Sequence, residues 1–164
     1  MKVENTPSLK HPEVLFMSLC GIGFLPKMPG TYGSLATLPL LYLLSLSGAP
    51  FFIFIPFLVI ATIVSCYIAE VVQQKFHIHD PPWIVMDEAL GMLTAWLFIA
   101  GEEPNFYSLA ALFALFRFFD IFKIWPASYF DKKVIHGMGT ILDDIISGIF
   151  AGIVLKLTFY FLSA

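Results

Sequence analysis

Charge is what this sequence has least of. Asp, Glu, Lys and Arg make up 13% of its 164 residues, about half the share usual in a water-soluble domain. With 59% hydrophobic residues and a mean hydropathy of +0.84, the composition excludes an ordinary soluble fold and points to an integral membrane protein. Cysteine is almost as scarce. Cys20 and Cys66 lie in apolar contexts without CxxC spacing, so two small buried thiols are expected rather than a disulfide or a redox pair. No Cys/His set has zinc spacing. The N-terminus "MKVENTPSLKHPEVLF" lacks an apolar core ahead of a small-residue cleavage site, so no cleavable signal peptide is expected. Internal repeats, low-complexity tracts and linkers are also missing, which leaves one membrane domain over 1–164. The formal net charge of −3 says little about partners, and no nucleic acid is expected among them.

Long apolar runs fill most of the chain. Five candidate spans are read: Thr31–Gly48, short and interrupted by Pro39; Phe51–Val72, the clearest; Glu88–Gly101, also short; Phe106–Phe122; and Ile141–Leu162. The earlier segment "PEVLFMSLCGIGFL" is too short to cross and reads as an interfacial or re-entrant helix. The expected fold is an all-α membrane bundle. Basic residues fix its orientation. Lys2, Lys10 and Lys27 precede the first span, Lys75 follows the second, and Arg117, Lys123, Lys132 and Lys133 lie at or between the ends of the fourth and fifth. The connections "SLSGAP" and "AGEEPN" carry none. Five spans with the N-terminus inside leave only Lys156 on the wrong side, where it can snorkel outward.

That orientation gathers every polar motif on one face: "PKMPGTYGS", "HIHDPPWIVMDE", "RFFDIFK" and "FDKKVIHGMGTILDD". Asp87 and Glu88 open the third span, where a carboxylate can serve simply as a cap for the helix dipole. Asp143 and Asp144 sit inside an apolar helix, where ionisable groups are costly and usually functional. Asp120 stands near a helix C-terminus, which disfavours its charge, and Arg117, Asp120 and Lys123 step by three along one face. Five carboxylates from three helices at one depth repel each other unless a cation lies among them. Hard oxygen ligands favour Mg²⁺. Asp87, Glu88, Asp120, Asp143 and Asp144 are the metal-ligand candidates. The turn "PGTYGS" offers Gly30 for close backbone approach, Thr31 and Ser34 as caps, and helix-start amides for an anion. "HGMG" is a second such turn. His79, Asp80 and His136 are candidates for proton transfer. Several phosphatase chemistries are excluded: there is no C-x5-R loop, no D-x-D, no paired arginine and histidine motifs of a histidine-nucleophile lipid phosphatase, and no CDP-alcohol phosphotransferase pattern.

The ordered set "PKMPGTYGSLATLP", "HDPPWIVMDEALGM", "RFFDIFKIWPASYFD" and "HGMGTILDDIISG" resembles bacterial phosphatidylglycerophosphatase A, from about Gly23 to about Gly152. The resemblance implies a Mg²⁺-dependent enzyme of the bacterial inner membrane, working at its cytoplasmic face, that removes the terminal phosphate of phosphatidylglycerophosphate. It implies roles for Gly30, Thr31, His79, Asp80, Asp87, Glu88, Arg117, Asp120, Lys123, Asp131, His136, Asp143 and Asp144. In this reading Arg117 and Lys123 neutralise the phosphoryl oxygens, and Lys27, Gly30, Ser34 and Asp131 contribute to substrate binding. The attacking group is either water activated beside the cation, with His79, Asp80 or His136 as base, or a covalent nucleophile such as Thr31. The lipid tails are expected near Phe24, Trp83 and Trp125. A rival reading is a Mg²⁺ or proton transporter built around intramembrane carboxylates. It expects acidic groups through the whole membrane depth, whereas here they collect on one side.

Overall fold

The computed structural model describes residues 7–101, 105–134 and 136–163. Within them the chain is an all-α bundle: α1 (Pro12–Met17), α2 (Pro29–Leu46), α3 (Phe54–Phe76), α4 (Met86–Leu97), α5 (Phe106–Phe122), α6 (Ala127–Lys133) and α7 (Gly137–Ser163). The five long helices fall where the apolar runs predict them. Two stretches, 51–76 and 137–162, have the length and apolar character to cross a bilayer. At 18 and 17 residues, α2 and α5 reach about 25–27 Å, slightly short of a typical hydrocarbon core of about 30 Å.

The third predicted span behaves differently. α4 has 12 residues, only about 18 Å of rise. Residues Leu90 to Trp96 are buried without interruption, so no face of this stretch meets lipid. A helix apolar on all sides belongs in an interior, and α4 is the axial element around which α2, α3, α5 and α7 pack. Its closest partner is α7. The two backbones approach through glycine, as membrane helices do where small residues face each other. A Cβ on Gly91 would stand 2.7 Å from the Asp144 carbonyl and 2.5 Å from Phe116 Cε2, and one on Gly148 would collide with the Gly91 carbonyl. Gly148→Val is therefore expected to push α7 off α4 and lower stability by about 1–3 kcal/mol, read as a lower unfolding midpoint in detergent. An unchanged midpoint would show that the contact tolerates bulk.

Two apolar clusters hold the bundle. One joins Leu41, Met92, Trp96, Leu112, Phe116 and Leu155 across α2, α4, α5 and α7. Trp96 satisfies its indole by donating to Ser45 Oγ at 2.8 Å. The other joins Val14, Met17, Val72, Trp83 and Ile141. The segment expected to be interfacial or re-entrant thus supplies a six-residue helix, α1, whose Val14 and Met17 are fully buried while Leu15 and Phe16 face outward. Lys75 of α3 pins it by donating to Glu13 Oε1 at 2.5 Å, and this bond holds the Glu13 carboxyl below its ordinary range. The expectation of two buried thiols is half corrected: Cys66 is half-buried, but Cys20 is exposed in the turn after α1. Lys2 and the Glu102–Pro104 part of the basic-free connection lie outside the described residues.

Candidate active site

Four helix ends meet at one end of the bundle around a cavity of about 470 Å³. Its wall comes from the loop into α2 and its first turn (Lys27 to Thr31), the loop into α4 (Asp80 to Ile84, then Asp87 and Glu88), the last turn of α5 (Arg117, Asp120, Ile121, then Lys123) and the start of α7 (Thr140, Asp143, Asp144). These stretches are far apart in sequence. The four polar motifs, read as one face of a membrane protein, therefore converge on a single chamber.

Each stretch is placed by a local device. Pro29 is the first residue of α2, where its fixed φ suits a helix start and its missing N–H costs nothing. Met28 is the N-cap and offers no side-chain hydrogen bond. The expectation that Thr31 and Ser34 cap this helix is thereby corrected. Thr31 lies inside the first turn, and Ser34 is fully buried with its hydroxyl donating back to the Gly30 carbonyl at 2.8 Å, so it faces the helix rather than a ligand. First-turn amides have no intrahelical acceptor, and Gly30 and Thr31 of this turn line the cavity. Gly30 is needed for proximity: a Cβ there would collide with Glu88 Oε1 and stand 3.3 Å from Arg117 Nη1. On α5, the Asn105–Ser108 capping box starts the helix and a left-handed Lys123 (φ 42°) ends it, turning that side chain back toward α7.

Six carboxylates and three cationic side chains line the chamber. Two of the cations, Arg117 and Lys123, are paired with carboxylates. Arg117 Nη1 stands 2.5 Å from Asp120 Oδ2 and 4.0 Å from Glu88 Oε1. Lys123 Nζ bridges Asp131 Oδ1 at 2.5 Å and Asp143 Oδ2 at 2.6 Å. Burial works against the Lys123 charge, but Asp143 and Asp131 more than offset it and hold the ammonium above its ordinary pKa. Asp87, Glu88 and Asp144 form a cluster in which each places a carboxylate oxygen within 4.8 Å of the other two. Glu88 Oε2 and Asp144 Oδ2 are buried without a hydrogen-bond partner, as is Asp143 Oδ1. Unpartnered buried carboxylate oxygens facing each other are strongly unfavourable unless protonated or joined by a cation. The donor set of three carboxylates fits a hard divalent ion. Of the five ligand candidates read from the sequence, these three cluster without a counter-charge of hydrogen-bonding quality, while Asp120 and Asp143 sit against Arg117 and Lys123.

Other sequence candidates fall differently. Asp80 lines the cavity with a left-handed backbone (φ 45°), whereas the exposed side chain of its neighbour His79 is not part of the wall. His136 is corrected outright: its side chain is 73% exposed, stands 3.5 Å from Glu70 Oε1, and lines a separate groove between α3 and α7. Asp131 is paired with Lys123 and is not part of the chamber wall. Trp83, expected along the lipid tails, is 7% exposed and stacks on Phe24 at 5.5 Å inside the protein. Trp125 is 75% exposed, in keeping with a place at the lipid boundary.

Three supporting residues were missed. Glu70 of α3 accepts the Gly137 amide at 2.7 Å and so caps α7 from a neighbouring helix. Gln73, less than one turn on, donates to Thr140 Oγ1 at 2.9 Å, and Thr140 itself lines the chamber. The signal for Glu70 was legible, since it is a carboxylate within the clearest span. Thr140 and Gln73 are ordinary polar residues whose relation appears only once α3 and α7 are packed.

A helical membrane bundle with buried carboxylates, an arginine, a lysine and the first turn of a helix in one chamber has the equipment of a phosphate-handling membrane enzyme. The chain belongs to the phosphatidylglycerophosphatase A family, whose model matches residues 15–159. It is 38% identical over 156 residues to phosphatidylglycerophosphatase A of Haemophilus influenzae, covering 92% of this chain and 93% of that protein. It is 34% identical over 130 residues to the Escherichia coli protein of the same name, covering 79% and 73%. A putative phosphatidylinositol-3-phosphatase of Bacteroides thetaiotaomicron is 28% identical over 160 residues, covering 90% and 95%. No solved structure matches the chain.

Proposed function

We propose that this protein is a Mg²⁺-dependent phosphatase that converts phosphatidylglycerophosphate to phosphatidylglycerol at the cytoplasmic face of a bacterial inner membrane. The observation that carries the metal is the cluster of Asp87, Glu88 and Asp144, with two buried oxygens that lack any partner. These three residues would hold the ion. When bound, Mg²⁺ supplies Lewis-acid polarisation of the phosphate and a nucleophile at neutral pH.

The chain's own groups do the rest. The first-turn amides of α2 and the Thr31 hydroxyl receive the terminal phosphate, where the α2 dipole favours its charge. Arg117 and Lys123 face the equatorial oxygens as charge spreads over them. Their carboxylate partners hold them in place: Asp120 fixes the guanidinium, and Asp131 and Asp143 fix the ammonium. Water attacks phosphorus, the ester bond to the glycerol oxygen breaks, and that oxygen leaves with the proton that water gives up. Of the three base candidates read from the sequence, Asp80 is the one on the chamber wall, and it is assigned to take the proton from water. The names of the relatives support a phosphorylated phospholipid headgroup as the substrate class.

The transporter reading is disfavoured by the gathering of the acidic cavity at one end of the bundle. Purified protein in mixed micelles with Mg²⁺ should yield inorganic phosphate and phosphatidylglycerol from phosphatidylglycerophosphate. Ion flux in vesicles without phosphate release would favour the transporter instead. The orientation has its own test. A cysteine introduced in the 102–104 connection should react with an impermeant maleimide on intact cells, and Lys132→Cys should react only after permeabilisation. The reverse pattern would put the chamber on the other face.

A further inference from the structure

The substrate proposed above is a lipid, so its tails must leave the chamber somewhere. Among the described residues, apolar grooves flank the bundle, and three of them bear on this question. One lies between α3 and α7, with His136 and Glu70 at its edge. One lies near the opposite end, around Phe51, Leu97 and Lys156. The third, of about 450 Å³, is formed by Leu35, Leu38, Pro39 and Tyr42 of α2 and by Phe106, Leu109, Ala110 and Phe113 of α5. Of these three, this one is made by the two helices whose site-side ends supply Thr31 and Arg117.

α2 leads away from the chamber and α5 leads toward it, so one antiparallel seam carries both features. At the chamber end the seam presents Gly30 and Thr31 opposite Arg117 and Asp120. Four residues beyond Thr31, about 6 Å along the helix, the lining turns wholly apolar at Leu35 and stays so to Tyr42, about 16 Å from Thr31. The chamber rim joins the two: Met28 and Ile121 line the cavity and are nonetheless 54% and 63% exposed, so the wall is open to the side there. Leu35 and Tyr42 are exposed as well. Pro39 lies within the continuous helix and leaves the Leu35 carbonyl without its intrahelical donor.

We infer that the α2–α5 groove is the acyl-chain track of the substrate, entered from the bilayer past Met28 and Ile121. This inference rests on the lipid-phosphatase reading. A groove in lipid gains little from the hydrophobic effect, since tails are equally apolar outside it. Its contribution is orientation: a chain lying along α2 fixes the glycerol end of the headgroup beneath Thr31 and Arg117, which is positioning of the kind that sets the reaction geometry.

The test uses Ala110→Trp, which fills the groove from its exposed α5 side without touching the polar chamber, and Ile63→Trp, which adds bulk in the α3–α7 groove. Both are assayed on dioleoyl phosphatidylglycerophosphate in mixed micelles. Ala110→Trp should lower kcat by at least about tenfold with a smaller change in KM, and Ile63→Trp should leave both near wild type. A second readout needs no variant. Wild-type protein is photolabelled with a phosphatidylglycerophosphate analogue carrying a diazirine in mid-chain, and the label should fall on peptides of α2 and α5. Label confined to α3 and α7, or equal kinetics in the two variants, would overturn the track. Absence of phosphate release from wild-type protein would instead overturn the lipid-phosphatase reading itself.

Discussion

Asp144→Asn should lower the rate of phosphate release by at least about tenfold, a loss of about 1.4 kcal/mol in transition-state stabilisation. The side chain keeps its shape but gives up a charge from the Asp87–Glu88–Asp144 cluster, where its Oδ2 has no hydrogen-bond partner to lose. The variant should therefore fold well, since removing one of three crowded carboxylates relieves repulsion. Two behaviours then separate a ligand from a bystander. Raised Mg²⁺ should restore part of the rate, because weakened binding is offset by concentration. The unfolding midpoint in EDTA should rise or hold, while the added stabilisation by Mg²⁺ should shrink, because a ligand that binds only the folded state stabilises by mass action. Wild-type rate and Mg²⁺ response would remove Asp144 from the metal site.

Lys123→Met should also cut turnover by at least about tenfold, but added Mg²⁺ should not rescue it, since the three-carboxylate cluster is untouched. Its stability signature is opposite in sign. Lys123 bridges Asp131 and Asp143, and Asp143 is 3% exposed. Removing one partner of a buried pair costs about 3–5 kcal/mol, and the 28% exposure of the Lys123 side chain puts the loss toward the low end. The direction with pH follows. The folded-state ammonium is held above its ordinary pKa, so its contribution is fully present at neutral pH and is lost only as pH rises through that elevated value. A paired Lys123→Met, Asp143→Asn variant should regain stability without regaining activity. Recovery of activity in the pair would assign Lys123 to architecture alone.

Much of the fold and the site was legible because a bilayer leaves few options. Backbone groups in lipid must be paired within a helix, so each apolar run translated into a helix at nearly its predicted bounds. Charge scarcity made the polar motifs stand out, and they did converge. The misses have physical causes. α4 reads as a short span because hydropathy cannot tell burial in lipid from burial in protein; its place inside the bundle shows in the unbroken burial of Leu90 to Trp96. His136 sits in a motif with Asp143 and Asp144, yet it precedes the first turn of α7 and projects toward Glu70 on the other side of the helix. Ser34 looked like a phosphate ligand because a glycine-and-hydroxyl turn suggests one, but three residues past Thr31 it is already buried and bonded to its own helix. The separation of five carboxylates into three for a cation and two for Arg117 and Lys123 depends on side-chain reach across helices, which spacing along one strand of sequence does not encode.

The central claim is that a cation held by Asp87, Glu88 and Asp144 is required for phosphate release. Its most direct test is the initial rate of release from phosphatidylglycerophosphate by purified, EDTA-stripped protein as free Mg²⁺ is titrated back. The predicted result is no release without metal and a saturable return to full rate with Mg²⁺. Full release in EDTA would contradict it.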